Sequence, residues 1–126
     1  RYGVPLKFNP HFPINTLMLM RAVTGIQLRQ PERFQAFIDC LFTALWVEGR
    51  SMDEPQTVAA VLSEHGFDPQ AVLALTNDES VKAVLKENTE TAVKRGVFGA
   101  PSMFVGNQLF FGQDRLDFVE EALRQI

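Results

Sequence analysis

The chain has 126 residues, of which 46% are hydrophobic and 21% are charged, a composition typical of one globular domain. Its formal net charge is −3 and it carries no basic stripe, which argues against a nucleic-acid partner. Apolar runs stop well short of the roughly 20 residues that a membrane span needs, so no membrane partner is expected. Cys40 is the single cysteine. Without a second cysteine it forms no internal disulfide, which suits a reducing, cytoplasmic location.

The N-terminal residues predict a connection between folded elements. Arg1, Tyr2 and Gly3 resemble the end of a helix with Gly3 as its C′ residue, so we expect a preceding element upstream of Arg1. Residues 4–8 are predicted to be short and extended, and residues 9–13 to form a rigid proline-rich loop.

Helical patterns follow. Asn15 is placed to cap a first helix that ends near residue 28 or 29. Pro31 suits the first position of a second helix, which has the strongest apolar stripe in the chain. We predict that this stripe forms core or a dimer interface, and that Cys40 within the helix is a core residue and not a nucleophile. The stripe consists of Phe34, Phe37, Ile38, Leu41, Phe42, Leu45 and Trp46.

Three further helices are predicted before the end of this helical region. One spans residues 54–65 and is closed by Gly66, and a short one runs from residue 68 or 69 to residue 75. A longer helix begins after Asn77 or Asp78 and reaches residue 95.

The C-terminal part changes to a strand pattern. Pro101 is tolerated at the first position of a strand and forces Ala100 toward an extended conformation. Judged on these residues alone, a trans bond between the two is the commoner arrangement, and a cis bond would aim the Ala100 backbone into a cleft. Residues 103–105 and 109–111 around a Gly-Asn-Gln turn predict a β-hairpin.

A final helix is predicted after the hairpin, beginning within residues 112–115. Asp114 and Asp117 have the spacing of an N-cap pair. Residues 116–126 repeat apolar side chains at helical intervals, so the chain should close with a ββα unit.

Residues 95–105, together with residues 110–116, resemble the end of a kappa-class glutathione transferase. Within that group the sequence is most similar to the 2-hydroxychromene-2-carboxylate isomerases of the DsbA-like thioredoxin superfamily. The resemblance implies an α/β thioredoxin-like fold with a large all-helical insertion. Residues 1–14 would be the connection, 15–88 the insertion and 89–126 the second half of the core. The activating Ser or Cys is expected upstream of Arg1, so no catalytic residue is assigned here.

The resemblance also implies a glutathione site in the C-terminal part. It implies a cis Ala100–Pro101 bond, so that the N–H and C=O of Ala100 would pair with the cysteinyl unit as one strand pairs with another. Amides near Gly112 and Gln113 would bind the γ-glutamyl carboxylate, and Asp114 would pair with the ammonium group. Phe111 is a further predicted glutathione-binding residue beside them. For Asp114, a purely structural role as N-cap is the alternative.

A pocket for a second, small aromatic substrate is implied near the N-terminal loop. Phe12 is the candidate for its aromatic wall, with ordinary loop packing as the alternative. His11 could act as an acid or base near neutral pH, or be a solvated loop residue. Arg21 could bind a carboxylate with its guanidinium fork, or be a surface or core-edge arginine.

The resulting prediction is a glutathione-dependent isomerase of aromatic-compound catabolism, forming a cytoplasmic homodimer and containing no metal. Three alternatives remain open. A kappa-class glutathione transferase shares the same residues, and a DsbA-like oxidoreductase would need a Cys-x-x-Cys in the preceding segment. A helical interaction module without enzymatic activity would have no cleft beside Ala100.

Overall fold

The computed structural model describes residues 2–126. The predicted helix end at Arg1 therefore lies in part outside the described residues. Gly3 has a φ of +64°, which favours glycine. Residues 2–16 contain no helix or strand. In residues 2–126, no helix combines the length and the apolar character needed to cross a membrane.

Within residues 2–126 the regular structure comprises six α-helices, two short 3₁₀-helices and one hairpin. The α-helices are α1 Leu17–Arg29, α2 Phe34–Trp46, α3 Pro55–Glu64, α4 Pro69–Asn77, α5 Glu79–Lys94 and α6 Leu116–Arg124. The 3₁₀-helix Pro31–Arg33 lies directly before α2, and the 3₁₀-helix Gln113–Arg115 lies directly before α6.

The hairpin is a two-stranded antiparallel sheet. Strand β1 spans Ser102–Val105 and strand β2 spans Gln108–Phe111. Ser102 pairs with Phe111 and Val105 with Gln108, so the turn has two residues and Gln108 belongs to the strand instead of the turn.

The chain divides into two compact units, with the division inside α5 after Leu85. The helical unit contains α1 to α4 and the beginning of α5. The C-terminal unit runs from Lys86 to Ile126 and contains the end of α5, the hairpin and α6.

The helical unit has a continuous apolar core. Phe37 is fully buried and meets Phe67 edge to face, with ring centroids 5.0 Å apart, an arrangement that aromatic pairs favour. Gly25 allows α1 to approach α4 closely, because a Cβ there would lie 2.7 Å from the Cβ of Leu75. Cys40 is buried in this core, as predicted. Phe42 of the predicted stripe is 59% exposed, so it lies outside this core, and the dimer-interface alternative for it stays a prediction.

Two predicted helix caps differ from the structure. Thr16 holds the N-cap position of α1, while the Asn15 side chain accepts a hydrogen bond from the amide of Leu17 at 3.1 Å. Asp114 lies inside the 3₁₀-helix, and Arg115 holds the N-cap position of α6 without a side-chain cap. The prediction of Asp114 as an N-cap was therefore wrong, because the 3₁₀-turn moves the start of α6 beyond it.

The N-terminal loop is hydrogen-bonded to residues at and just after the end of α2. The last carbonyls of a helix have no partner within it. Here the Asn9 side-chain amide donates to the carbonyls of Leu45 at 3.0 Å and Arg50 at 2.9 Å. The amide of Lys7 donates to the carbonyl of Trp46 at 2.6 Å. The loop is thereby fixed to the helical unit without forming regular structure itself.

Candidate functional site

The backbone of Ala100 is exposed and unpaired. The Ala100–Pro101 peptide bond is cis. The carbonyls of the two neighbouring residues are already hydrogen-bonded. The Gly99 carbonyl accepts from the Ser102 hydroxyl at 2.6 Å, and the Pro101 carbonyl accepts from the Gly112 amide at 2.9 Å. Within residues 2–126 no hydrogen bond engages the N–H or C=O of Ala100. One exposed residue thus offers both a donor and an acceptor to a ligand.

The hairpin register places this backbone near the predicted anion site. Ser102 pairs with Phe111 and Pro101 is bonded to Gly112, so continuing the register sets Ala100 opposite Gln113. The amides of Gln113 and Asp114 have no acceptor in the described part of the chain. The Gly112 amide is already used by Pro101, so the prediction that it binds a carboxylate was wrong. The amides without an acceptor in the described residues belong to Gln113 and Asp114, the next two residues.

Gly112 has a conformation that other residues rarely adopt. Its φ of +102° and ψ of 148° lie close to a region populated almost only by glycine. A Cβ at this position would lie 2.6 Å from a carboxylate oxygen of Asp114. The absence of a side chain therefore lets the Asp114 carboxylate fold back over the turn, where its side chain stays 67% exposed. Its one charged neighbour in the described chain is Arg115, at 3.9 Å.

Two aromatic rings flank the exposed backbone. Phe98 and Phe111 lie with ring centroids 4.6 Å apart, and both are exposed. Gly99 permits this, because a Cβ there would lie 2.7 Å from the Phe111 ring. Phe111 was among the predicted binding residues, whereas Phe98 and Gly99 were not. The sequence signal for this arrangement was the glycine between an aromatic residue and the Ala-Pro pair.

Phe12 belongs to an aromatic group in the helical unit. Its ring lies 5.4 Å from that of Phe8 and 6.5 Å from that of Trp46, measured between centroids. Phe12 nevertheless remains 57% exposed, and its peptide bond to Pro13 is cis. His11 is exposed, with its backbone amide donating to the Asn9 side chain at 2.8 Å. Both residues are therefore accessible from solvent.

Arg21 lines a separate hollow of about 250 Å³ in the helical unit. The guanidinium of Arg21 makes no hydrogen bond or ion pair within residues 2–126. A cation without an internal partner is available to an external carboxylate. Neither Phe12 nor His11 lines this hollow. The lining consists of Asn15, Leu17, Met18, Arg21 and Asp53.

Cys40 is unsuited to nucleophilic chemistry. Burial raises the pKa of the Cys40 thiol, and the negative charge of Glu48 raises that pKa further. A raised pKa lowers the fraction of reactive thiolate. Within the described residues, no three His, Cys, Asp or Glu side chains are grouped to hold a metal ion.

Asn9 supports the Phe12 loop and was missed as a positioning residue. It is fully buried, and its side chain makes the three hydrogen bonds that bind the loop to α2 and to His11. An Asn-Pro pair marks a turn. That signal predicted the loop but not the burial of the side chain, which depends on where α2 ends.

The family model of the DSBA-like thioredoxin domain matches residues 1–124. The chain belongs to this family. This chain is 28% identical over 125 residues to a 2-hydroxychromene-2-carboxylate isomerase of Pseudomonas putida, and the alignment covers 99% of this chain and 60% of the relative. It is 29% identical over 115 residues to glutathione S-transferase kappa 1 of Homo sapiens, covering 86% and 51%.

A solved structure supports the same assignment for the DSBA-like chain. The structure of a 2-hydroxychromene-2-carboxylate isomerase superposes with a TM-score of 0.77 at 29% identity, covering 98% of this chain and 59% of that one. The predicted thioredoxin-like fold and family are confirmed. The DSBA-like chain spans about 60% of the length of the isomerase relative from Pseudomonas putida.

Proposed function

We propose that the protein is a glutathione-dependent isomerase acting on a small aromatic carboxylate of the 2-hydroxychromene-2-carboxylate type. The observation that carries this proposal is the exposed, unpaired backbone of Ala100. It lies beside the Asp114 turn in a chain whose relatives include isomerases of that name. The activating Ser or Cys is expected in a segment upstream of Arg1.

The residues of the C-terminal unit fit glutathione. The N–H and C=O of Ala100 would pair with the backbone of the cysteinyl residue, as in strand addition. The amides of Gln113 and Asp114 would bind the γ-glutamyl carboxylate, and the Asp114 carboxylate would pair with the ammonium group. Phe111 and Pro101 would exclude water from one side. Glutathione, when bound, supplies a thiol nucleophile.

The helical unit would contribute the contacts to the second substrate. Phe12 offers an exposed ring for stacking, and Arg21 offers an unpaired cation for the substrate carboxylate. His11, exposed on the same loop as Phe12, would exchange protons near neutral pH. We further propose that the protein is a cytoplasmic homodimer.

The glutathione site is tested by removing one charge. Asp114→Asn keeps the size of the side chain but removes the partner of the ammonium group. Charge-assisted hydrogen bonds contribute about 1.5–3 kcal/mol, so calorimetric titration of the intact protein should show roughly tenfold to hundredfold weaker glutathione binding. Glu121→Gln removes the same charge from an exposed position of α6 and should leave the affinity unchanged. Equal affinity for Asp114→Asn and wild type would exclude Asp114 from the site.

The transferase activity is a second candidate, which the kappa-class relatives favour. An isomerase regenerates glutathione, whereas a transferase converts it to a conjugate. The intact protein is therefore incubated with glutathione and either the chromene carboxylate or an electrophilic chloroarene, and free glutathione is measured over time. Turnover of the carboxylate with constant glutathione supports the isomerase. Consumption of glutathione with the chloroarene alone supports the transferase.

A further inference from the structure

The helical unit contains a second hollow that the proposed function does not use. It is a pocket of about 120 Å³ lined by residues of α1, α2, α3 and α4 and partly open to solvent, where Leu73 remains 48% exposed. Its lining is predominantly apolar, and half of the lining residues belong to the buried core. Prominent among them are Leu19, Phe37, Leu41, Val58, Leu62 and Val72.

The pocket has few polar groups. The Thr76 hydroxyl, which reaches the lining, already donates to the Leu73 carbonyl at 2.7 Å. Gln70 is the other polar residue of the lining, and it is exposed at the open side. Water inside the pocket would therefore find few hydrogen-bond partners on its apolar walls, and water held in this way is readily displaced by an apolar group.

The volume and lining select the class of that occupant. A cavity of about 150 Å³ lined by Leu, Ile and Phe binds benzene, and this pocket has a comparable size and lining. We propose that the helical unit binds one small uncharged aromatic ring, of benzene or toluene size, between α1, α2, α3 and α4. This site is independent of glutathione and extends beyond the proposed function.

Toluene is the probe for this site. Titration of the intact protein should give saturable shifts in the methyl NMR signals of Leu19, Val58 and Leu62. The methyl signals of Val105 and Val119, in the C-terminal unit, should stay unchanged. Because binding to the native state stabilises it, the melting temperature should rise with toluene concentration. Absence of saturable shifts, or equal shifts in both units, would overturn the proposal.

A matched pair of variants on α3 adds a second test. Ala59 lines the pocket and Ala60, its neighbour, is exposed. Ala59→Leu places three extra carbons in the pocket and should weaken toluene binding at least about tenfold, whereas Ala60→Leu should bind as wild type does. Equal binding by the two variants would contradict the proposal. Should Ala59→Leu fail to fold, the methyl shifts of the wild-type protein still decide.

Discussion

At the scale of single residues, the candidate site depends on two glycines whose missing side chains have different effects. Gly99 gives the Phe111 ring access to the backbone beside Ala100, and Gly112 gives the Asp114 carboxylate room to fold back. In both cases a Cβ would lie under 3.0 Å from the neighbouring group. Small residues here shape the site as much as the side chains expected to contact the ligand.

Substitution of Gly112 should therefore impair binding without removing any functional group. In Gly112→Ala the added Cβ displaces the Asp114 carboxylate, so glutathione binding measured by calorimetry should weaken about tenfold or more. Gly106→Ala is the control, because Gly106 also has a positive φ, +58°, but nothing within 4 Å of its Cβ position. Its affinity should equal that of wild type even if its melting temperature falls. Unchanged affinity in Gly112→Ala would show that the turn does not position Asp114 for the ligand.

Asn9 should prove the most sensitive residue of the N-terminal loop. Asn9→Ala leaves the carbonyls of Leu45 and Arg50 without their side-chain donor, and each such loss in a buried position is costly. We expect the free energy of unfolding to fall by about 3 kcal/mol in urea denaturation. Asn107→Ala, in the exposed hairpin turn, should change it by no more than about 0.5 kcal/mol. Similar values for the two variants would contradict the anchoring role of Asn9.

At the scale of elements, an ion pair joins the end of α3 to the segment after α2. The Arg50 guanidinium contacts the two carboxylate oxygens of Glu64 at 2.7 and 3.2 Å, and also approaches Glu48 at 3.4 Å. Hydrogen bonding by Arg50 lowers the pKa of the Glu64 carboxyl in the folded protein. The pair is exposed, so its contribution to stability is modest.

This pair predicts a specific pH dependence. Because the folded-state pKa of Glu64 is lowered, its contribution is fully present above the unfolded pKa of about 4.3 and is lost as the pH falls through the folded value. Wild type should melt at a higher temperature than Glu64→Gln at pH 7, and the difference should narrow as the pH falls below about 4.3. Glu87→Gln, which removes an exposed carboxylate of α5, should show no such narrowing. A difference for Glu64→Gln that stays constant as the solution is acidified would contradict the ion-pair explanation.

The secondary-structure elements show how much of the fold could be predicted from the sequence. All six α-helices and the hairpin follow from local signals, such as Pro31 before α2, Gly66 after α3 and the Gly-Asn-Gln turn. The two 3₁₀-helices and the pairing of Gln108 within β2 were not predicted. Local signals failed where a tertiary contact decides the outcome. The Gly112 amide is occupied by a carbonyl across the hairpin, and Asn9 is buried by the end of α2. Neither hydrogen-bond partner can be identified from the residues adjacent in sequence.

At the scale of the whole molecule, the two units differ in how well they bury apolar surface. The helical unit has a core of many buried side chains, whereas α6 in the C-terminal unit buries none of its residues. Phe98, Phe118, Leu123 and Ile126 are all more than half exposed. Large apolar side chains left this exposed are typical of a surface that further protein covers.

The proposed homodimer can be tested at the exposed residue of the α2 stripe. Wild type should sediment as a dimer at high concentration and dissociate on dilution. Phe42 is 59% exposed, and Phe42→Glu should shift the protein to the monomer, because burying an unpaired carboxylate in an apolar interface is costly. Leu28→Glu alters an exposed leucine of the helical unit and should leave the equilibrium unchanged. A wild-type monomer at every concentration would show that the dimer prediction is wrong.

The hydrogen bonds of Asn9 have a thermodynamic consequence for any ligand that contacts Phe12. They immobilise the loop before a ligand arrives, although the Phe12 ring itself faces solvent. Association normally loses affinity when a mobile segment must be ordered, and a preorganised surface avoids that loss. An aromatic compound stacking on Phe12 would therefore bind with little loss of backbone entropy. Loosening the loop would weaken that association even though no group touching the compound had changed.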